Sequence, residues 1–307
     1  LRQTFIQTLT KLAEDEPRII LMTADLGYTV VEPFADQYPD RFFNVGVAEQ
    51  NMVGIATGLA ESGFIPFLYS IATFAILRPY EFIRNGPILH GLPIRIIGVG
   101  GGFEYGHAGT THHALEDVGV LRIQPGIRVI APADYQQTAQ ALLTTWSLPG
   151  PTYYRLGKDD QNVVQGLRGE FTLGRSQLLR QGQDLLILSM GSITQIVIAA
   201  ADLLESEGVT CKIMVVASIN PAPISDLEIE LSQFSVVLTV EAHYVTGGLG
   251  SLVAEVIADH GLNCRVVRCG VKALPSGISG SESYLNEYHG LSALQVSKIA
   301  LKSLVKS

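Results

Sequence analysis

Short apolar runs alternate with helical patterns along most of this chain, and that alternation limits its fold more than any other feature. Six runs, at 19–25, 42–47, 66–71, 94–100, 128–133 and 152–156, have strand length and strand composition. Between them the apolar residues recur with helical spacing over 49–62, 73–85, 114–122 and 134–146, and Phe5, Ile6, Leu9, Leu12 and Ala13 mark a helix ahead of the first run. Strands that alternate with helices are joined by right-handed crossovers and assemble into a mostly parallel sheet covered on both faces. After GKDD (157–160) the pattern lapses into a polar, Gly-bearing stretch, which reads as a linker with a small β excursion. It then resumes, with strands expected near 185–191, 211–218, 236–242 and 264–270 and helices near 193–207, 224–232 and 248–260. The chain is therefore expected to be α/β, with two consecutive domains, each a mostly parallel sheet flanked by helices, at 1–160 and 184–307 with a linker at 161–183. A length of 307 residues suits two cores, because single cores stop growing near roughly 250–300 residues.

Composition narrows the function classes. Hydrophobic residues make up 47% and charged ones 16%, which excludes disorder and suits a buried parallel sheet. A net charge of −8 opposes a nucleic-acid partner, since phosphate binding needs a basic face. No uninterrupted apolar run is long enough to span a bilayer, and LRQTFIQTLTKLAEDEP is an amphipathic helix pattern without the layout of a signal peptide, so a soluble cytoplasmic protein with no membrane partner is expected. Cys211, Cys264 and Cys269 are odd in number with no CxxC spacing and read as reduced thiols.

In an open parallel sheet, ligands bind beyond the carboxyl ends of the strands. The unusual polar residues of the first half gather there: ADLGYT (24–29), GVAEQN (46–51), SIATF (70–74), the long loop 98–117 and RLGKDD (155–160). The loop segment GGGFEYGHAG is Gly-rich but is no dinucleotide fingerprint, because GxGxxG should open a helix at once, and no GxxxxGK[ST] occurs. His107, His112 and His113, with Glu116 and Asp117, lack the spacing of a metal site and suit hydrogen bonding to a polar substrate. Glu116 and Asp117 equally suit the first turn of a helix. GGLGS (247–251) opens a helix whose N-terminus could hold an anion, although glycines there also permit close packing; Glu241 and His243 just before it are further candidates. Arg155 ends an apolar strand, where it could hold a phosphate or pair with Asp159 or Asp160. Glu49 enters a helix that is apolar nearly all round; a carboxyl buried there has a raised pKa and is a natural proton donor to a basic ring nitrogen.

Taken in order, TADLG, FFNVGVAEQNMVGIATGLA, IATFAILRPYEFIRN, GTTHHALEDVGVLR, GIRVIAPAD and GPTYYRLGK make essentially the whole chain resemble the C-terminal half of transketolases, as found in two-subunit members of that family. The resemblance implies thiamine diphosphate as cofactor and a pyrimidine-binding domain followed by a C-terminal domain. Glu49 would hydrogen-bond the pyrimidine N1′ and so promote the imino form that deprotonates the thiazolium C2. Phe74 would stack on the pyrimidine, with Leu77 and Tyr80 at further ring-contacting positions and Asp25 and Leu26 as the strand-end pair that enforces the bent cofactor. His112 would touch the donor's hydroxyl and carbonyl oxygens, and Arg155 and Arg2 would hold a sugar phosphate. Ala108 and Gly100 replace an Asp and a His of full-length transketolases, leaving His107 to supply a substitute contact. The GDG…N signature that grips Mg²⁺ and the diphosphate does not occur in the chain, so no metal ligand is expected here and an N-terminal-type subunit should supply that half of the site. The implied assembly is a hetero-tetramer, two of each subunit around this chain's own dimer, which moves a two-carbon ketol unit from a ketose, phosphorylated by expectation, to an aldose. Within the superfamily, a deoxyxylulose-phosphate synthase and a 2-oxoacid dehydrogenase E1 β-subunit share parts of this pattern, and a non-catalytic assembly subunit would share the fold alone.

Overall fold

The computed structural model describes residues 1–161, 163–275 and 277–305; Asn162 of the expected linker, Ser276 and the last two residues of the second domain lie outside them. In chain order the first half runs α1 (Arg2–Asp15), β1 (Ile19–Thr23), α2 (Glu32–Gln37), β2 (Phe42–Asn44), α3 (Glu49–Glu61), β3 (Ile65–Ile71), α4 (Ala72–Leu77), α5 (Tyr80–Ile83), β4 (Arg95–Val99), α6 (Asp117–Arg122), β5 (Arg128–Ile130), α7 (Tyr135–Thr145) and β6 (Thr152–Leu156). The second half runs β7 (Gln177–Arg180), β8 (Leu185–Ser189), α8 (Thr194–Ser206), β9 (Cys211–Val215), β10 (Ser218–Asn220), α9 (Ile224–Leu231), β11 (Val236–Tyr244), α10 (Leu249–Asp259), β12 (Arg265–Val271), α11 (Glu282–Tyr288) and α12 (Ala293–Leu304).

The first sheet has the order β10-β5-β6-β4-β3-β1-β2 and the second β12-β11-β8-β9-β7. All neighbours are parallel except the edges β10 and β7, which pair antiparallel. The two parallel sheets under helices are therefore as the alternation implies, and the apolar runs bury both faces: β4, β6 and β8 are buried at every residue.

Two expectations about elements are corrected. The helix expected over 73–85 is broken into α4, α5 and a π-helical turn at Arg84–Ile88, because Pro79 and Pro87 have no N–H to donate to a continuous ladder. The run at 211–218 is two strands: β9 stays in the second sheet, while β10 crosses over and pairs with β5 of the first, Ala131 N donating to Ala217 O at 2.8 Å. The two halves of the chain are thus joined through a shared sheet edge. Helices α2, α11 and α12 had no counterpart in the sequence reading. No helix among the described residues is long and apolar enough to cross a membrane. Cys211, Cys264 and Cys269 are buried free thiols, their pKa values pushed up by burial to about 11, 11 and 12.

The placement of β2 and β3 on opposite sides of β1 matters for function. Chain connections diverge there, and a crevice opens beyond the strand ends at such a switch point.

Candidate active site

Helix α3 starts at that crevice, and its first residue is Glu49. Gly46 takes φ +73°, a left-handed turn that brings the chain from β2 into the helix. Glu49 is only 1% exposed. The sequence casts it as a donor awaiting a partner, but both its oxygens accept: Oε1 from Ser70 Oγ on β3 at 2.9 Å and Oε2 from Arg78 Nη1 at 2.8 Å. Arg78, 43% exposed, lies just past α4 with its guanidinium 3.9 Å over the Phe74 ring. The His112 ring meets the edge of Phe74 with centroids 5.0 Å apart, and Thr111 Oγ1 lies 3.0 Å from His112 Nδ1. Glu49, Arg78, Phe74 and His112 form one continuous set of contacts drawn from three separate segments. Sequence reasoning passed over Arg78 and Ser70. The spacing of Phe74 and Arg78, four residues apart at a helix end, was the available signal for the first.

The neighbouring strand ends carry Asp25 and Leu26. Asp25 takes φ +56°, held there by Asn44, whose Oδ1 accepts from Asp25 N and Gly46 N and whose Nδ2 donates to Asp25 Oδ1. Leu26 is half-buried and lines an apolar recess of about 180 Å³ with Tyr28, Val31 and Phe42. Leu77 is exposed beside Arg78. Tyr80 packs into the first core, its hydroxyl donating to Val120 O and accepting from Gln124 Nε2, which ties it to α6. His107 is exposed on the short turn Gly106–Ala108. Arg2 lies at another rim, its Nε donating to Lys158 O, in a depression lined also by Glu104, Asp159, Asp160 and Glu282. Neither His107 nor Arg2 joins the contacts around Glu49.

Arg155 corrects its expected pairing with Asp159 or Asp160. It is 5% exposed and pairs with neither Asp159 nor Asp160: its Nε donates to Asp117 Oδ2 at 2.8 Å and its Nη2 to Ala114 O and Ala242 O at 2.9 and 2.8 Å. Burial by itself would lower its pKa, but Asp117, Tyr153 and Glu104 together raise it. So placed, the guanidinium is inside the junction between the two halves and is not presented to a sugar phosphate. Glycines of the long loop make room for it: a Cβ on Gly101 would collide with the guanidinium, one on Gly98 with Tyr153, and one on Gly102 with Ala242. The GGG run is an interdomain packing feature.

The helix start at GGLGS is likewise already satisfied. Leu249 N and Gly250 N donate at 2.7 and 2.8 Å to the carboxylate of Glu241, so the chain's own anion already takes two N–H groups of this helix start. Burial pushes Glu241 up to about 7 against those two donors. Among the described residues, no group of three or more His, Cys, Asp or Glu side chains could hold a metal ion.

A buried carboxylate, a half-buried aromatic and a histidine thus lie together at a switch-point crevice of an α/β protein. Comparison with known proteins makes that class specific. The transketolase pyrimidine-binding domain matches residues 1–162 and the transketolase C-terminal domain residues 174–296. A putative transketolase C-terminal section of Methanocaldococcus jannaschii is 36% identical over 100% of this chain and 96% of its own length. One of the subunits of an apulose-4-phosphate transketolase of Actinobacillus succinogenes is 32% identical over 92% of this chain and 91% of its own. A solved split-gene transketolase, an inactive β4 tetramer, superposes with a TM-score of 0.88 at 34% identity, covering 99% of this chain and 97% of the other. The chain belongs to the transketolase family, a thiamine diphosphate-dependent family, and is similar to the C-terminal subunits of its split members.

Proposed function

We propose that this chain is the pyrimidine-binding subunit of a two-component transketolase, which moves a two-carbon ketol unit from a ketose phosphate to an aldose. The observation that carries the proposal is the contact set Glu49–Arg78–Phe74–His112 at the switch-point crevice. Those residues fit the aminopyrimidine of thiamine diphosphate: a carboxyl sealed from water can exchange a proton with a ring nitrogen, and a half-buried Phe face offers stacking. When bound, the cofactor supplies the nucleophilic carbon that accepts the ketol unit. The chain's own residues do the rest. Ser70 holds one oxygen of Glu49, so the other, now on the partly exposed Arg78, is the one that can change partners. His112, at the open side of Phe74, is placed to hydrogen-bond sugar oxygens.

Mg²⁺ and the diphosphate belong in this reading to an N-terminal-type subunit. Exposed apolar residues around the crevice, Tyr28, Phe43, Val47, Ile55 and Leu77, support a partner surface there. The solved split-gene relative is an inactive β4 tetramer, which supports self-association as well. The ketose phosphate class is supported by the relative named for apulose-4-phosphate, and we place the reaction in the cytoplasm.

The test combines this chain with the product of the adjacent N-terminal-type reading frame, thiamine diphosphate, Mg²⁺ and a ketose phosphate. Turnover by the pair, none by either chain alone, and none with Glu49→Ala is expected. Full activity of this chain alone would overturn the two-component reading, and CO₂ release from pyruvate without ketol transfer would overturn the choice of reaction.

A further inference from the structure

Resting on that reading, we propose that the second domain is the frame that positions His112, with Arg155 as the positioning residue at its centre. On its C-terminal side the loop carrying His112 is tied to the second domain directly at Leu115 and Gly119 and, through Phe103 and Arg155 of the first domain, at His113 and Ala114. His113, the next residue, packs edge-on against Phe103 at 5.0 Å, and Phe103 in turn stacks on His289 at the end of α11, 4.9 Å away and 14° from parallel. Ala114 closes the loop by exchanging both backbone hydrogen bonds with Gly102, and its carbonyl is bridged by Arg155 Nη2 to the carbonyl of Ala242 on β11. Leu115 O accepts from Tyr244 N at 3.0 Å. Asp117, the first residue of α6, is gripped by Arg155 Nε and by the Tyr153 hydroxyl at 2.6 Å, while its Oδ1 is buried with no hydrogen-bond partner among the described residues. Gly119 N donates to His243 Nε2 at 3.2 Å, and His243 Nδ1 lies 2.8 Å from Tyr244 O.

The end of β11, residues 242–244, therefore touches the segment 114–119 by three routes, one of them through a guanidinium buried between the halves. Two carbonyls that would otherwise face each other across the junction share the donors of a single Nη2, and Asp117 balances the charge that makes this possible. Only Arg has the planar fork for that geometry; Lys has one nitrogen for three acceptors in different directions. His112 sits two residues upstream of the bridged carbonyl and against Phe74, so its ring position is set by how that carbonyl is held. An Arg that binds a sugar phosphate must instead present its fork to solvent.

The two roles separate in the assembled enzyme when a phosphorylated and an unphosphorylated ketose donor are compared. Positioning predicts that Arg155→Met lowers kcat for both donors alike, by up to about 10²-fold for a displacement near 1 Å, with the ratio of their KM values unchanged. His243→Phe, which removes the tie to Gly119, should lower kcat for both donors in the same sense. Arg155→Lys should recover little. A rise in KM of about tenfold or more for the phosphorylated donor alone, with kcat kept, would overturn the proposal in favour of phosphate binding. So would unchanged kcat for both donors. Hydrogen exchange on the chain by itself gives a readout independent of turnover: amides of 110–119 should exchange faster in both variants, and unchanged exchange there overturns the frame even if the assembled wild type turns over. Should the wild type fail to turn over, the functional reading falls, and the exchange result still decides the frame.

Discussion

Two buried carboxylates, each paired with an arginine, behave as opposites. At the crevice Glu49 is sealed but its Arg78 is 43% exposed. At the junction Asp117 and Arg155 are both sealed, at 0% and 5%. A partner that reaches water can leave at little cost, since its charge is rehydrated, whereas removing one member of a sealed pair strands a charge in low dielectric. The first arrangement keeps a carboxylate available for chemistry, and the second fixes a backbone. A carboxylate and a guanidinium at the same 2.8 Å are thus open to solvent in one place and sealed in the other.

That contrast can be broken by substitution. The largest effect is expected from Glu49→Gln, which keeps the shape and removes the exchangeable carboxyl proton: turnover of the assembled enzyme should fall by about 10²–10⁴-fold with the melting temperature nearly unchanged. Next, Asp117→Asn should cost about 3–5 kcal/mol in chemical denaturation, because Arg155 loses its charge partner inside the junction. If Asp117→Asn proves as mild as a surface change, the junction is wetter than the pair's burial implies.

A pH effect follows from Glu241, whose pKa is about 7 in the folded protein against an ordinary 4.5. Between those values the folded chain holds a proton that the unfolded chain has released, so stability is full below pH 4.5 and declines as pH rises toward 7. The loss attributable to this group approaches about 3 kcal/mol above pH 7. Glu241→Gln should flatten that slope in melting curves recorded between pH 5 and 8, and an identical slope in the variant would remove Glu241 as the cause. The smallest effect belongs to Arg78→Met, expected to cost about 1–3 kcal/mol of stability, because buried Glu49 keeps the bond from Ser70. Its kcat effect sharpens the comparison: if Arg78 merely occupies Glu49 until the cofactor arrives, turnover should be retained far better than in Glu49→Gln.

Much of this was legible in the residues. The periodicities located nearly all strands of both sheets within a few positions, since residues buried on both faces must be apolar. Glu49 and His112 stood out as polar residues at strand ends, whereas Phe74 was given a place only by the resemblance to transketolases. Arg155 was misassigned for a physical reason: a strand-end arginine next to two acids at 159 and 160 looks locally paired or free, but its partner stands on α6, 38 positions away in sequence. The GGG loop was recognised as odd and left without a purpose, because two of the groups its glycines make room for, Arg155 at Gly101 and Ala242 at Gly102, come from distant segments. Arg78 was missed because, apart from its four-residue spacing from Phe74, what marks it is its partner Glu49, 29 positions away in sequence.

The amino-acid sequence by itself determined the layers, the two-domain plan and which polar residues gather at the strand ends, because periodicity and residue type are local properties and the strand-end rule turns them into a place. Only the tertiary structure decided which charges meet, which of them reach water, and that a strand of the second half joins the first sheet. Those depend on distances between segments far apart in the chain, and the free energy of a charge is set by the solvent and partners that packing leaves around it.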